Sequence, residues 1–368
     1  MSFPKFNIGD LQVRTPIIQG GMGIGVSLSG LAGAVAEAGG IGVIATAGIG
    51  MSEPDLGSNF VEACNRALAR EIREVRKKTD GVLGVNIMVA LTNYAELVKV
   101  ALREGVDAII SGAGLPLNLP EFVSEASKTK LIPIVSSARA AVILCKKWLM
   151  HFGRTPDAFV VEGPKAGGHL GFKPEQLDSP EHSLERLLPE VVEGVKPIID
   201  KTGNDIPVIA AGGIYTGHDI YKYLKMGAAG VQMGTRFVGT HECDADYKFK
   251  QAYLDAKEED IVVIRSPVGL PGRAIRNTFL ADVGTGQHKP AKCPFHCIRS
   301  CDYTTAPYCI SMALINAKKG KLKHGFAFAG SNAYLVDAIV SVKELMATLE
   351  REFDEAVAME SDQTLAFA

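Results

Sequence analysis

Eight short apolar runs punctuate the first two thirds of this chain, at 16–19, 42–45, 82–86, 108–111, 132–135, 159–162, 207–211 and 230–233. They are rich in Val and Ile and do not alternate apolar with polar residues. Runs of that kind are strands buried on both faces, the signature of parallel sheets covered by helices. Helical patterns lie between them. Residues 59–78 place Phe60, Cys64, Ala67, Ile72 and Val75 on one face, with Arg and Glu opposite. Segments 93–104, 137–150 and 184–200 read the same way. Segment 216–226 opens at Thr216, an N-cap residue, and stops at Gly227, a C-cap residue. Eight strand–helix units with no linker predict an α/β fold, a (β/α)8 TIM barrel, ahead of a doubly wound sheet. The expected division is a barrel over 1–255 and a C-terminal lid or small substrate region over 256–368. A last amphipathic helix near 341–357 presents Val342, Leu345, Met346, Leu349 and Phe353 on one face.

In such barrels the chemistry sits at the C-terminal ends of the strands. The residues there are unusually small. Gly20-Gly21-Met22 follows the first run, Asn86 ends the third, Glu162 ends the sixth, and Ala211-Gly212-Gly213 and Met233-Gly234-Thr235 end the seventh and eighth. Glycines after the last two strands let a phosphate approach backbone N–H groups, the usual phosphate site of the fold. There is no GxxxxGK[ST], so a P-loop ATPase is excluded. After the sixth run the chain reads Glu162-Gly163-Pro164-Lys165-Ala166-Gly167-Gly168-His169. The glycines let this loop lie against a flat ligand and present His169 to it. An imidazole there is the strongest candidate for acid–base work.

These segments together resemble the nitronate monooxygenase (2-nitropropane dioxygenase) family, which includes the flavin-type enoyl-acyl carrier protein reductases. The run EGPKAGGHLG is similar to the family's EGxxAGGHxG signature. Thr15–Met22, Gly84-Val85-Asn86, Ala210–Ile214 and Val231–Phe237 resemble its first, third, seventh and eighth strand ends, and GRAIRN at 272–277 its GRxxRN stretch. The resemblance covers about 280 residues. It implies a barrel that binds FMN without a covalent bond. Gly20, Gly21, Met22 and Asn86 would then lie by the flavin ring, and Ala166, Gly167 and Gly168 along it. Gly212, Gly213, Gly234 and Thr235 would hold the phosphate, with Ala211 and Met233 at the strand ends beside them. Glu162 would meet the ribityl chain or brace the loop, and His169 would stand over the reactive face. One feature departs from the family. The lysine that several members carry on the fifth strand has no match, and Arg139 is the nearest cation.

The resemblance implies an FMN-dependent oxidoreductase. The first expectation is oxidation of alkyl nitronates with O2. His169 would either deprotonate a neutral nitroalkane or, as imidazolium, steady the nitronate. The alternative is a reductase that uses NAD(P)H and passes electrons to an enoyl thioester or a quinone. A flavin-binding redox sensor is the third reading, and a full signature with His169 argues against it.

Seven cysteines are present, four of them in the spacing C-x3-C-x3-C-x7-C: Cys293, Cys297, Cys301 and Cys309. If the segment is helical, the first three thiols share a face. They could offer soft ligands to an Fe–S cluster or to zinc, although the spacing matches neither common zinc sites nor the ferredoxin run. Reduced thiols in a lid and a disulfide are the other readings. Cys64, Cys145, Cys243 and Trp148 read as packing residues. An odd cysteine count argues against a secreted disulfide scaffold, and the N-terminus lacks the apolar stretch of a signal peptide. With no run of about 18 apolar residues, no membrane span is expected. A net charge of −2 gives no reason to expect nucleic acid or an anionic membrane as partner. The expectation is a cytoplasmic enzyme of a small-molecule substrate, with a homodimer as the default assembly.

Overall fold

A computed structural model describes residues 3–124, 126–286, 293 and 295–366. The chain starts with an antiparallel hairpin, β1 (Phe6–Ile8) and β2 (Leu11–Val13). Eight parallel strands then follow: β3 (Ile17–Gln19), β4 (Gly42–Ala45), β5 (Leu83–Met88), β6 (Ala108–Gly112), β7 (Lys130–Val135), β8 (Phe159–Glu162), β10 (Val208–Ala211) and β11 (Gly230–Met233). A two-residue strand, β9 (Gly168–His169), lies outside this sheet. The spatial order is β3-β11-β10-β8-β7-β6-β5-β4. A parallel bridge between Ile18 and Ile41, flanking β4, joins the two ends and closes the barrel. The doubly wound competitor is thereby excluded, because an open sheet would leave β3 and β4 as free edges.

The eight strands coincide with the eight apolar runs, and burial on both faces is the reason. Ile18, Val43, Ile110, Ile132, Val160 and Ile209 point inward and pack together, while Ile17, Ile44, Val85, Ile109, Val161 and Val231 point outward under the helices. The hairpin's Phe6, Ile8 and Val13 join the inner cluster and plug the barrel interior. Lys130, at the start of β7, pairs with Asp10 in the hairpin turn.

Helices α1 (Ser29–Glu37), α2 (Phe60–Arg76), α3 (Tyr94–Arg103), α4 (Ala138–Phe152), α5 (Leu184–Thr202) and α6 (Gly217–Lys225) cover the outer face. Thr216 caps α6 through a hydrogen bond from Asp219 N, in a reciprocal capping box. Met226 rather than Gly227 occupies the C-cap, and Gly227 follows it with φ +100°. Among the described residues, no helix is long and apolar enough to cross a membrane.

After the short α7 (Thr235–Val238) and α8 (Tyr247–Leu254), the hairpin β12 (Ile261–Arg265) and β13 (Pro271–Ile275) forms. β13 pairs antiparallel with β9, matching Gly272 with His169 and Arg273 with Gly168. The GRAIRN stretch therefore lies directly against the GGH of the sixth-strand loop. Helices α9 (Thr278–Gly284), α10 (Ile310–Lys318) and α11 (Val342–Ala366) complete the chain. The last helix packs on α6 and α1.

Candidate active site

The C-terminal ends of the barrel strands open into a cavity of about 290 Å³. Every residue expected at the site lines it: Gly20, Gly21, Met22, Asn86, Glu162, Ala166, Gly167, Gly168, His169, Ala211, Gly212, Gly213, Met233, Gly234 and Thr235. The barrel delivers most of them at the last residue of a strand or just past it. The C-terminal region supplies the roof: Cys297, Ile298, Ile310, Ser311, Leu314 and the stretch 328–332.

At one end sits a backbone cradle. Gly212 and Gly213 adopt φ +96° and +85°, a conformation that L side chains rarely take. The roof straps this end down. Gly330 N donates to Thr235 Oγ1 at 2.9 Å, Ser331 N to Lys165 O at 3.1 Å, and Asn332 Nδ2 to Gly213 O at 2.8 Å. Ser331 and Asn332 carried no signal beyond that of a turn pair, because the partner that matters lies 119 residues away for Asn332 and across the fold for Ser331. Gly167 allows the close approach on the other side. A Cβ there would lie 2.6 Å from Ala329 C.

His169 also lines the cavity. Its Nε2 shares a 2.8 Å hydrogen bond with Ser266 Oγ, in the turn between β12 and β13, and its ring meets Phe328 edge-on at 5.0 Å. Burial pushes the imidazole down to about 4, so it is neutral at physiological pH. Arg273, buried beneath the loop, donates from Nη1 to Pro164 O at 2.6 Å and to Ala166 O at 2.7 Å. Neither Ser266 nor Arg273 was visible as a site residue from local sequence.

Glu162 lies on the cavity wall, and burial pushes its carboxyl up to about 7. Gln232, also on the wall, has a buried Oε1 without a hydrogen-bond partner. Among the described residues that line the cavity, Lys165 is the sole Lys or Arg, and it sits beside Gly213. Arg139, the cation nearest in sequence to the family's lysine position, is exposed on the first turn of α4 and does not line the cavity.

The cysteine segment corrects one expectation. It is not helical: 295–308 runs as loop and turns, pinned by a bridge between Leu91 and Ile298. All four thiols nevertheless face one small pocket beside the cavity. None is in a disulfide. Among the described residues, no group of three or more His, Cys, Asp or Glu side chains is spaced to hold a single metal ion, so a zinc site on Cys293, Cys297, Cys301 and Cys309 is not supported. Cys64, Cys145 and Trp148 are buried packing residues as expected, and so is Cys243.

A closed (β/α)8 barrel with a glycine-cradled cavity at its strand C-termini defines a barrel enzyme. The family model described as nitronate monooxygenase matches residues 5–97 and 89–352. This chain belongs to the nitronate monooxygenase family, a family of oxidoreductases. A Mycobacterium tuberculosis relative, named a (3aS,4S,5R,7aS)-5-hydroxy-7a-methyl-1-oxo-octahydro-1H-indene-4-carboxyl-CoA dehydrogenase, is 31% identical over 274 residues, 74% of this chain. The chain spans 66% of that relative's length. A probable nitronate monooxygenase of Staphylococcus saprophyticus is 27% identical over 74% of this chain and 78% of its own. Among solved structures, FabK from Thermotoga maritima superposes with a TM-score of 0.74 at 30% identity, covering 95% of this chain and 96% of its own.

Proposed function

We propose that this chain is an FMN-dependent oxidoreductase that acts on an enoyl-type thioester, with NAD(P)H as the reductant. The observation that carries the substrate class is the neutral, buried His169, held by Ser266 in a cavity without a second cation. A neutral imidazole polarises a carbonyl by donating its N–H, and it gives an anionic substrate no charge to pair with. The apolar wall formed by Met22, Ile24, Met88, Leu91 and Leu314 suits an acyl chain. The Mycobacterium tuberculosis relative is named for a carboxyl-CoA substrate, so a CoA thioester is within the reach of a related site.

The residues present fit FMN. Gly212, Gly213, Gly234 and Thr235 form a backbone cradle for a phosphate. Unpartnered Gln232 Oε1 and the uncompensated Glu162 are polar groups that await a ligand's donors. Ala166, Gly167 and Gly168 would lie along the flavin ring, with Gly21 and Asn86 also on the cavity wall. FMN bound there would supply hydride and single-electron redox chemistry. His169 would hold the substrate's carbonyl oxygen by an N–H bond, and Ser266 would fix its tautomer. Phe328 and the 328–332 stretch would exclude water. We read the setting as cytoplasmic, which suits seven unpaired cysteines.

Nitronate oxidation with O2 is the second reading, favoured by the family match. There His169 would act as the base toward a neutral nitroalkane, and burial opposes the imidazolium that this forms, which places the reading second. Oxygen-free mixing separates the two. Bleaching of the flavin absorbance by NADH or NADPH, reversed by a short enoyl-CoA, is the expected result. Bleaching by an alkyl nitronate alone would transfer the assignment to the second reading. Protein purified without flavin would defeat both.

A further inference from the structure

We propose that Cys293, Cys297, Cys301 and Cys309 ligate an iron–sulfur cluster that stands beside the flavin cavity and exchanges single electrons with it. The four thiols come from one loop, yet all face the same pocket. Among the described residues, no three of these side chains are grouped to hold a single ion. A cluster carries its four thiolates on the outside of an iron–sulfide core, so it suits sulfurs that converge without touching. The pocket is built rather than incidental. Thr92 N donates to Cys297 O at 3.2 Å, and Arg299 N donates to Ala90 O at 2.9 Å, which ties the segment to the loop after β5. Phe295 stacks on Phe60 at 5.0 Å, fixing the segment's other end on α2. Cys309 is the N-cap of the nine-residue α10, which fixes that end of the segment on a helix.

The location argues for a redox role. Cys297, Ile298, Ile310 and Ser311 form a wall common to the small pocket and the flavin cavity. A cluster held by Cys297 would therefore be separated from the cavity by side chains alone. The relay, which rests on the FMN reading, is a one-electron exchange. One ferric iron is reduced to ferrous by an electron from the reduced flavin. It is reoxidised by a one-electron protein carrier of the ferredoxin class, and the second electron follows by the same route. The two protons go to solvent. Run in reverse, the carrier replaces NAD(P)H as the source of electrons.

The full chain, produced with added iron and purified without oxygen, tests the site. About four irons and four acid-labile sulfides per chain are expected. So is a paramagnetic signal after dithionite, and the same signal when the flavin is reduced. Cys301→Ser and Cys309→Ser should lose the iron and the signal while bound FMN and the far-ultraviolet dichroism stay unchanged. Zinc in place of iron, a disulfide among the four, or four free thiols that take up no iron from ferrous salt and sulfide would overturn the site. A cluster that forms but stays oxidised when the flavin is reduced would overturn the relay. Iron and sulfide are counted whether or not FMN is bound, so failure of the site and failure of the flavin reading are distinguishable.

Discussion

Two half-buried titratable groups on the cavity wall, His169 and Glu162, carry opposite shifts. His169 is held neutral down to about pH 4. Its titration should therefore leave no limb in kcat/KM between about pH 5 and 8, and an inflection near the ordinary histidine value of about 6.5 would contradict the buried, neutral assignment. His169→Ala should keep its flavin and lose about 10²–10⁴-fold in turnover, the usual worth of a positioned acid–base or hydrogen-bonding imidazole. Ser266→Ala should cost about tenfold or less, the scale of one net hydrogen bond, and mainly in kcat. Glu162 runs the other way. Its folded-state pKa is raised to about 7, so the native state binds the extra proton between about pH 4.5 and 7, and stability falls as pH rises through that window. In flavin-free protein, Glu162→Gln should remove that decline, up to about 3 kcal/mol, and match wild type at pH 4. Denaturant titrations at both ends of the window would show it. Equal slopes with pH in the two proteins would sink the assignment.

At the scale of elements, the strand pairing of β13 with β9 decides where His169 points. Arg273 ties that pairing to the loop by two bonds to Pro164 O and Ala166 O. Arg273→Met removes both and leaves two buried carbonyls short of a donor, at about 1–3 kcal/mol each. The expected outcome is a folded barrel whose sixth-strand loop is loose, seen as weaker FMN retention and a raised KM with a smaller change in Tm. An unchanged flavin affinity would show that the loop holds its shape without the arginine. This element also marks the limit of what local sequence carries. The eight barrel strands were legible because each is buried on both faces and so reads as an unbroken apolar run. Thr216 was legible because a capping box is local. The run 261–265, IVVIR, has the same apolar character, but its meaning lies in pairing through β13 with a two-residue strand about 100 residues earlier. Ser266 and Arg273 act at separations of 97 and 107–109 residues, where periodicity is silent. Helix α1, SGLAGAVAE, escaped notice for another reason: its alanines and glycines give little contrast between faces, and its N-cap position is Leu28, which caps with no side chain. The site glycines were found because strand ends are predictable once the strands are. The cysteines were found by type, and their loop conformation was not.

For the whole molecule, the open issue is whether the C-terminal region is a lid on a barrel or part of one body with it. One apolar cluster runs through both, joining Leu31, Ile72 and Ile220 of the barrel helices to Phe279, Tyr308, Phe326, Leu349 and Phe353. Polar contacts agree. Gly217 N, at the first turn of α6 and four residues past the glycine cradle, donates to Glu352 Oε2 at 2.8 Å, and the approach is so close that a Cβ on Gly217 would lie 2.2 Å from Leu349 O. α11 therefore presses on the helix that follows the glycine cradle, while the 328–332 stretch straps the cradle itself. Two regions that share a core and a ligand site unfold together, whereas a hinged lid would melt first. We expect flavin release and loss of helical dichroism to coincide in one thermal transition. Leu349 is fully buried, so Leu349→Ala should destabilise the fold by about 2–5 kcal/mol, and it should lower both signals by the same number of degrees. If flavin release moved to lower temperature while the dichroism transition stayed in place, residues 256–366 would be a separate closing unit, and the cavity would owe its shape to the barrel alone.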